Sequence, residues 1–141
     1  MLRYTELGWL AGSLLLGTCV VGCAKPCDPI PESETVKRLG IVLEGGRVCK
    51  EDKSVATIDY PSAKPDELTS KYTTKLGADG WKAESPSEGT ILATKAEDTL
   101  FIVTGKKSKD RRVPFAIVRY CEDSYCRKQL TELAAAMGKY K

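Results

Sequence analysis

The chain has 141 residues, 29% of them charged, and a formal net charge of +3. This length accommodates one domain with one modest core, and the small positive charge provides no broad basic surface, so no nucleic-acid partner is expected. Histidine is absent, which removes the commonest general base and the commonest zinc ligand.

The first element along the chain is an apolar run. Residues 7–24 include no charged side chain, whereas Arg3 precedes the run and Lys25 follows it. A short basic region, an apolar stretch and then small residues are typical of a secretory signal peptide. An uncleaved span is an alternative, because eighteen uncharged residues fall at the lower end of the roughly 17 to 25 that cross a bilayer. A plain secreted product is a third.

The apolar run ends in VVGC at residues 20–23. These four residues resemble the lipobox of bacterial lipoproteins, in which two aliphatic or small residues and a Gly, Ala or Ser precede a cysteine. The resemblance implies that Cys23 receives diacylglycerol, that residues 1–22 are removed as a signal peptide, and that the new amino group is acylated, for example with palmitate. An alternative lipobox is LGTC at residues 16–19, which ends at Cys19, but threonine fits poorly immediately before a cleavage point.

Acylation at Cys23 would decide how the protein is held at a membrane. Two or more acyl chains anchor a protein stably, whereas a single chain binds reversibly. Ala24 follows Cys23, where an aspartate would resemble the inner-membrane retention signal of enteric bacteria. The resemblance therefore implies an exported, lipid-anchored protein on the outer membrane, facing the periplasm, where the organism has one.

Four cysteines lie beyond the lipobox: Cys27, Cys49, Cys121 and Cys126. An even number of cysteines in an exported chain favours disulfides, and four cysteines allow three connectivities. We expect Cys27–Cys49 and Cys121–Cys126, because each pair is close in sequence. The competing interpretation is a four-cysteine zinc site, which lacks a C-x-x-C motif and does not suit an exported chain.

The next segments connect the lipobox to the first clear elements. Residues 23–33 carry three prolines, which fix φ and remove hydrogen-bond donors, so they predict an extended tether before a single domain at 34–141. Within residues 34–53 a short apolar run and a Gly-Gly turn are visible, but no element is predicted there.

A strand and a helix are predicted next. Residues 55–60 alternate as a half-buried strand does, and residues 65–76 repeat apolar side chains at four-residue spacing. Acidic residues in the first turn and a lysine in the last turn favour the helix, which ends before two glycines. The inward positions are Ala56, Ile58 and Tyr60 in the strand and Leu68, Tyr72 and Leu76 in the helix.

The second half of the chain predicts three strands and a helix. A strand begins at 81–84, residues 90–96 and 99–105 form a hairpin, and a last strand covers 113–120. A helix starts near Asp123 and ends at Gly138, with one apolar stripe. The stripe consists of Cys126, Leu130, Leu133 and Met137.

This order of elements indicates an α+β fold. We expect an antiparallel sheet of about four to five strands with two helices packed on one face. The helix-to-strand passage between Tyr72 and Trp81 is similar to helix-on-sheet modules of envelope lipoproteins, over about 30 residues, and implies nothing about activity. Trp81, Tyr72 and Phe115 are predicted core residues, whereas Tyr60, Tyr120 and Tyr125 are candidates for the lining of a shallow groove.

Catalytic and cofactor motifs are not recognisable in the sequence. Without histidine a nucleophile would need a Ser–Lys or Cys–Lys arrangement, and no motif marks one. No P-loop, dinucleotide-binding or EF-hand pattern occurs. We therefore expect no enzymatic activity, no metal site and no cofactor.

One polar segment stands out, KKSKDRR at residues 106–112, with five basic residues in seven. One interpretation is a solvated hairpin tip whose charges discourage edge-to-edge aggregation. The other is a binding site for an anionic envelope lipid or glycan, or an acidic protein surface. The basic residues are Lys106, Lys107, Lys109, Arg111 and Arg112.

Two functions follow from these observations. The first is a non-catalytic lipoprotein that presents a small disulfide-bonded domain for protein–protein contact in the cell envelope. The second is a lipoprotein that recognises an anionic envelope component through residues 106–112, or a small molecule between sheet and helices.

Overall fold

The computed structural model describes residues 26–105 and 113–138. The predictions for Cys19, Cys23 and the basic segment at 106–112 therefore lie outside the described residues. In chain order the elements are α1 (Glu34–Leu39), β1 (Arg47–Asp52), β2 (Val55–Asp59), α2 (Pro65–Ala78), β3 (Lys82–Glu84), β4 (Thr90–Lys95), β5 (Asp98–Gly105), β6 (Phe115–Cys121) and α3 (Ser124–Gly138).

The strands form one antiparallel sheet in the order β1-β2-β6-β5-β4-β3. The α+β class is confirmed, and the described residues contain six strands and three helices rather than four to five strands and two helices. The last strand, β6, lies between β2 and β5, so it joins the amino-terminal hairpin to the β3–β5 meander. Every strand of this sheet except β1 and β3 is therefore paired on both sides.

The two elements that were not predicted, α1 and β1, have weak local signals. The helix α1 has six residues, too few to show a helical repeat. Its capping is nevertheless well formed: the Ser33 side chain accepts a hydrogen bond from the Val36 N–H, and Gly40, at φ 63°, ends the helix in the left-handed conformation. In β1 a bulge at Cys49 interrupts the pairing between Val48 and Lys50, which disrupts the alternation of inward and outward residues.

The helices cover both faces of the sheet, so the expectation that they pack on one face was wrong. Residues of α1 and α2 join Leu100 and Ile102 in one core, whereas α3 packs on Phe101 from the other side. The physical reason is visible in β5, where residues 99–102 are all buried. Adjacent strand residues point to opposite faces, so such continuous burial requires cover on both.

The helical stripes are confirmed for α2 and corrected for α3. Leu68, Tyr72 and Leu76 are at most 1% exposed. In α3 the buried residues are Leu130 and Ala134, whereas Leu133 is 41% exposed. No helix within 26–105 and 113–138 has the length and apolar content needed to cross a bilayer.

Candidate functional site

The four cysteines of the described residues form two disulfides, Cys27–Cys49 and Cys121–Cys126, with Cα atoms 5.7 and 5.6 Å apart. The expected pairing is confirmed. The first bond attaches the amino-terminal segment to the bulge of edge strand β1. The second attaches the end of β6 to the first turn of α3 and so helps to place α3 on its face of the sheet.

The chain between Cys27 and Ser33 is held along β1. The Ile30 N–H donates to the Val48 carbonyl at 2.9 Å, and the Ser33 hydroxyl donates to the Glu51 carboxylate at 2.6 Å. The segment expected to act as a tether is therefore bonded to the sheet over residues 27–33.

Cys27, Cys49 and the buried Asp59 also form the one group with metal-ligand spacing in the part of the chain that is described, with ligand atoms within 4.8 Å of one another. The Cys27 N–H donates to Asp59 Oδ2 at 3.3 Å. Both sulfur atoms are in the disulfide, so the thiolates that zinc requires are not available.

The structure brings this disulfide to the end of the sheet at which Gly105 lies. Asp59, beside Cys27, pairs with Phe115. Phe115 in turn pairs with Gly105, the last residue before the basic segment. The two features that the sequence singled out thus originate at the same end of the fold.

The three tyrosines that were candidates for a groove do not come together, so that interpretation was wrong. Tyr60 is 2% exposed and belongs to the core. Tyr120 donates to the Glu51 carboxylate at 2.7 Å, and burial and this hydrogen bond raise its pKa to about 12. Tyr125 is 72% exposed on α3. Of the predicted core aromatics, Tyr72 and Trp81 are buried, and Phe115 is partly exposed.

A buried hydrogen-bond chain joins Tyr60 and Tyr72. The Leu43 N–H donates to the Tyr60 hydroxyl at 3.1 Å, and the Tyr72 hydroxyl donates to the Ile41 carbonyl at 3.0 Å. The two hydroxyls bond each other; since the Tyr72 proton is used on Ile41, Tyr60 is the donor. Burial raises the pKa of both tyrosines. The chain fastens the irregular segment between α1 and β1 to α2.

A charged cluster lies at the opposite end of the sheet. Arg38 of α1 donates to both carboxylate oxygens of Asp98 at 3.0 and 3.1 Å and to Glu122 at 2.9 Å. The hydrogen bonds from Arg38 lower the pKa of Asp98. Arg127 of α3 adds a bond to Thr99 Oγ1 at 2.8 Å. These bonds connect α1, β5 and α3, which is a structural role.

A groove of about 590 Å³ lies between the start of α2, the β3–β4 turn and the end of β5. The hydroxyls of Thr69 and Thr104 in it bond each other at 2.8 Å, and Ser85 donates to the Thr90 carbonyl at 2.8 Å. Each of these hydroxyls already has a protein partner, so none of them is oriented toward a ligand.

The residues that the structure describes cover only part of the second face of the sheet. The helix α3 packs on Leu92, Phe101, Val103 and Cys121. On the rest of this face, Val55, Thr57, Phe115 and Ile117 are partly exposed. This region is called the open face below. No sequence pattern distinguished its residues from core residues, because alternation predicts which side a residue is on and not what covers that side.

A scan of protein-family models and searches of curated proteins and solved structures found no match to this chain.

Proposed function

We propose that the chain is a non-catalytic, exported lipoprotein that presents a small disulfide-bonded domain for protein–protein contact in the cell envelope. The two disulfides carry the proposal. They account for every cysteine after position 23, and stable disulfides are characteristic of exported proteins. They leave Cys23, at the end of the VVGC sequence, as the thiol available for acylation.

The position of Cys27 supports the proposal further. Because Cys27 is bonded to β1 and is four residues after Cys23, an acylated Cys23 would be at most about 14 Å from the sheet. The domain would then be held close to the leaflet in a restricted orientation. We place it on the periplasmic side of the outer membrane, where the organism has one.

The test is the intact mass of the protein extracted from membranes of its native host, before and after reduction. We expect a chain that begins at Cys23 with three acyl groups, and a gain of two hydrogens for each of two disulfides on reduction. Cys23→Ser should leave residues 1–22 attached, whereas Cys19→Ser should be processed normally. Retention of Met1, or an unmodified thiol at Cys23, would refute the anchor.

A second function is favoured by the common origin of Cys27 and the basic segment at one end of the sheet. In this alternative the side chains of residues 106–112 bind an anionic lipid or glycan near the anchor, with about 1 kcal/mol available per basic residue at an anionic surface. Salt-sensitive binding to anionic but not neutral vesicles should disappear when the five basic residues are changed to serine. Equal binding to both vesicles would exclude it.

A further inference from the structure

The open face has the dimensions of one missing helix. Among the described residues, the first face of the sheet holds α1 and α2, whereas the second holds α3 alone. Strands are about 4.8 Å apart, so β1, β2 and β6 extend over roughly 10 Å between their outer axes, which is about the diameter of a helix with its side chains. The position beside α3 can therefore accept one helix.

The open face is apolar at its centre. The strand registers place Thr57 opposite Ile117 and Ile117 opposite Val103, all on one face of the sheet. Val55 and Phe115 lie in the neighbouring rows of that face. All five are partly exposed, so a helix laid along them would bury β-branched and aromatic surface that water now contacts.

Basic side chains surround this apolar centre. Arg47, Lys50 and Arg119 share its face by register and are exposed, and none of the three has an ion pair with another residue of 26–105 or 113–138. Two carboxylates share the same face by register, the exposed Asp52 and the buried Asp59, which lies opposite Arg47. Elsewhere the exposed cation Arg38 is paired with two carboxylates. The charge of the open face therefore favours an acidic occupant.

From this geometry we infer that the open face binds an amphipathic helix of a partner protein, with its apolar side on Val55 and Ile117 and acidic side chains toward Arg47, Lys50 and Arg119. The inference deepens the proposed function and rests on it, because it names the surface and the chemistry of the partner. A second copy of the chain is disfavoured, since like charges would meet. A flat membrane would contact α3 first, because a helix stands about 10 Å above the sheet.

The test uses site-specific photo-crosslinking in cells that naturally produce the protein. A benzophenone amino acid replaces Ile117 or, separately, Val55; the matched control replaces Thr74, which is exposed on α2 on the other side of the sheet. We expect one protein adduct from both open-face positions and none from Thr74. Mass spectrometry should map it to a helical segment with Asp or Glu beside apolar residues.

Charge reversal separates this interface from a chance contact. In the Ile117 probe protein, Arg119→Glu should lower the adduct yield about tenfold, since repulsion replaces attraction, whereas Lys82→Glu on β3 should not. An unchanged thermal unfolding midpoint would show that both variants are folded. An adduct with lipid alone, with a second copy of the chain or with a non-acidic segment would overturn the inference, as would a yield no higher than at Thr74.

The experiments distinguish failure of the lipid anchor at Cys23 from failure of the helix-binding inference. If Cys23 is acylated and no open-face adduct forms, only the helix-binding inference is wrong. If the adduct forms on a chain whose Cys23 thiol is unmodified, the anchor is wrong and the open face remains an interface.

Discussion

The Tyr60–Tyr72 hydrogen-bond chain makes a quantitative prediction about stability. Tyr72→Phe removes one hydroxyl and leaves two buried hydrogen-bonding groups unsatisfied: the Ile41 carbonyl loses its donor, and the Tyr60 O–H loses its acceptor although it still accepts from the Leu43 N–H. Ile41 is 0% exposed and Tyr60 is 2% exposed, so water cannot replace the lost bonds. An unsatisfied buried group costs about 1–3 kcal/mol, and Tyr72→Phe should therefore lower the free energy of unfolding by about 2–5 kcal/mol.

The companion variants give a double-mutant cycle. Tyr60→Phe leaves one buried group unpaired, the Leu43 N–H, because Tyr72 can still donate to Ile41. The double variant leaves two groups unpaired rather than the three expected from adding the single variants. Its destabilisation should fall short of the sum by about 1–3 kcal/mol.

Urea unfolding followed by circular dichroism measures these values. The control is Tyr125→Phe, which removes only a bond to Gln129 at the surface and should change the free energy of unfolding by less than about 0.5 kcal/mol. Additive single effects, or a Tyr72→Phe variant as stable as the control, would refute the buried chain.

The same chain predicts a loss of stability at alkaline pH. Burial raises the pKa of Tyr60 and of Tyr72, so above about pH 10, the usual tyrosine value, the unfolded chain releases these protons while the folded chain retains them. The free energy of unfolding is unaffected below that pH and falls as pH rises above it. The Tyr60→Phe/Tyr72→Phe variant should show a shallower decline; an equal slope would contradict the assignment.

Two further predictions concern the disulfides and two glycines. Replacing both Cys27 and Cys49 by alanine removes a bond between residues 22 positions apart and should lower the free energy of unfolding by about 3 kcal/mol. Removing the Cys121–Cys126 bond, whose cysteines are five positions apart, should lower it by about 2 kcal/mol. Equal losses in urea unfolding would contradict this prediction. A Cβ at Gly105 would overlap the Phe115 ring, so Gly105→Ala should lower stability by about 1–3 kcal/mol, whereas Gly77→Ala, in open space on α2, should raise it by about 0.5–1. Thermal unfolding that ranks the glycine variants in the opposite order would exclude this packing.

Local signals were sufficient for some elements and not for others. Helix α2 was predicted because its apolar repeat, its terminal charges and the glycines at its end all lie within residues 65–80. The β4–β5 hairpin was predicted because its strands are separated by only two residues, Ala96 and Glu97. Helix α1 is too short to repeat, and the bulge at Cys49 conceals β1. Neither element therefore has a periodic pattern of apolar residues by which it could be predicted.

The amino-acid sequence by itself determined the α+β class, most of the strands and helices, and the pairing of the four cysteines, because each depends on residues close together along the chain. Only the tertiary structure decided that β6 lies between β2 and β5, that α3 covers the face opposite α2, and that Tyr60 meets Tyr72. These arrangements depend on contacts between residues that are distant in sequence. Periodicity predicts which face of a strand or helix is buried, but it does not predict which other element packs on that face.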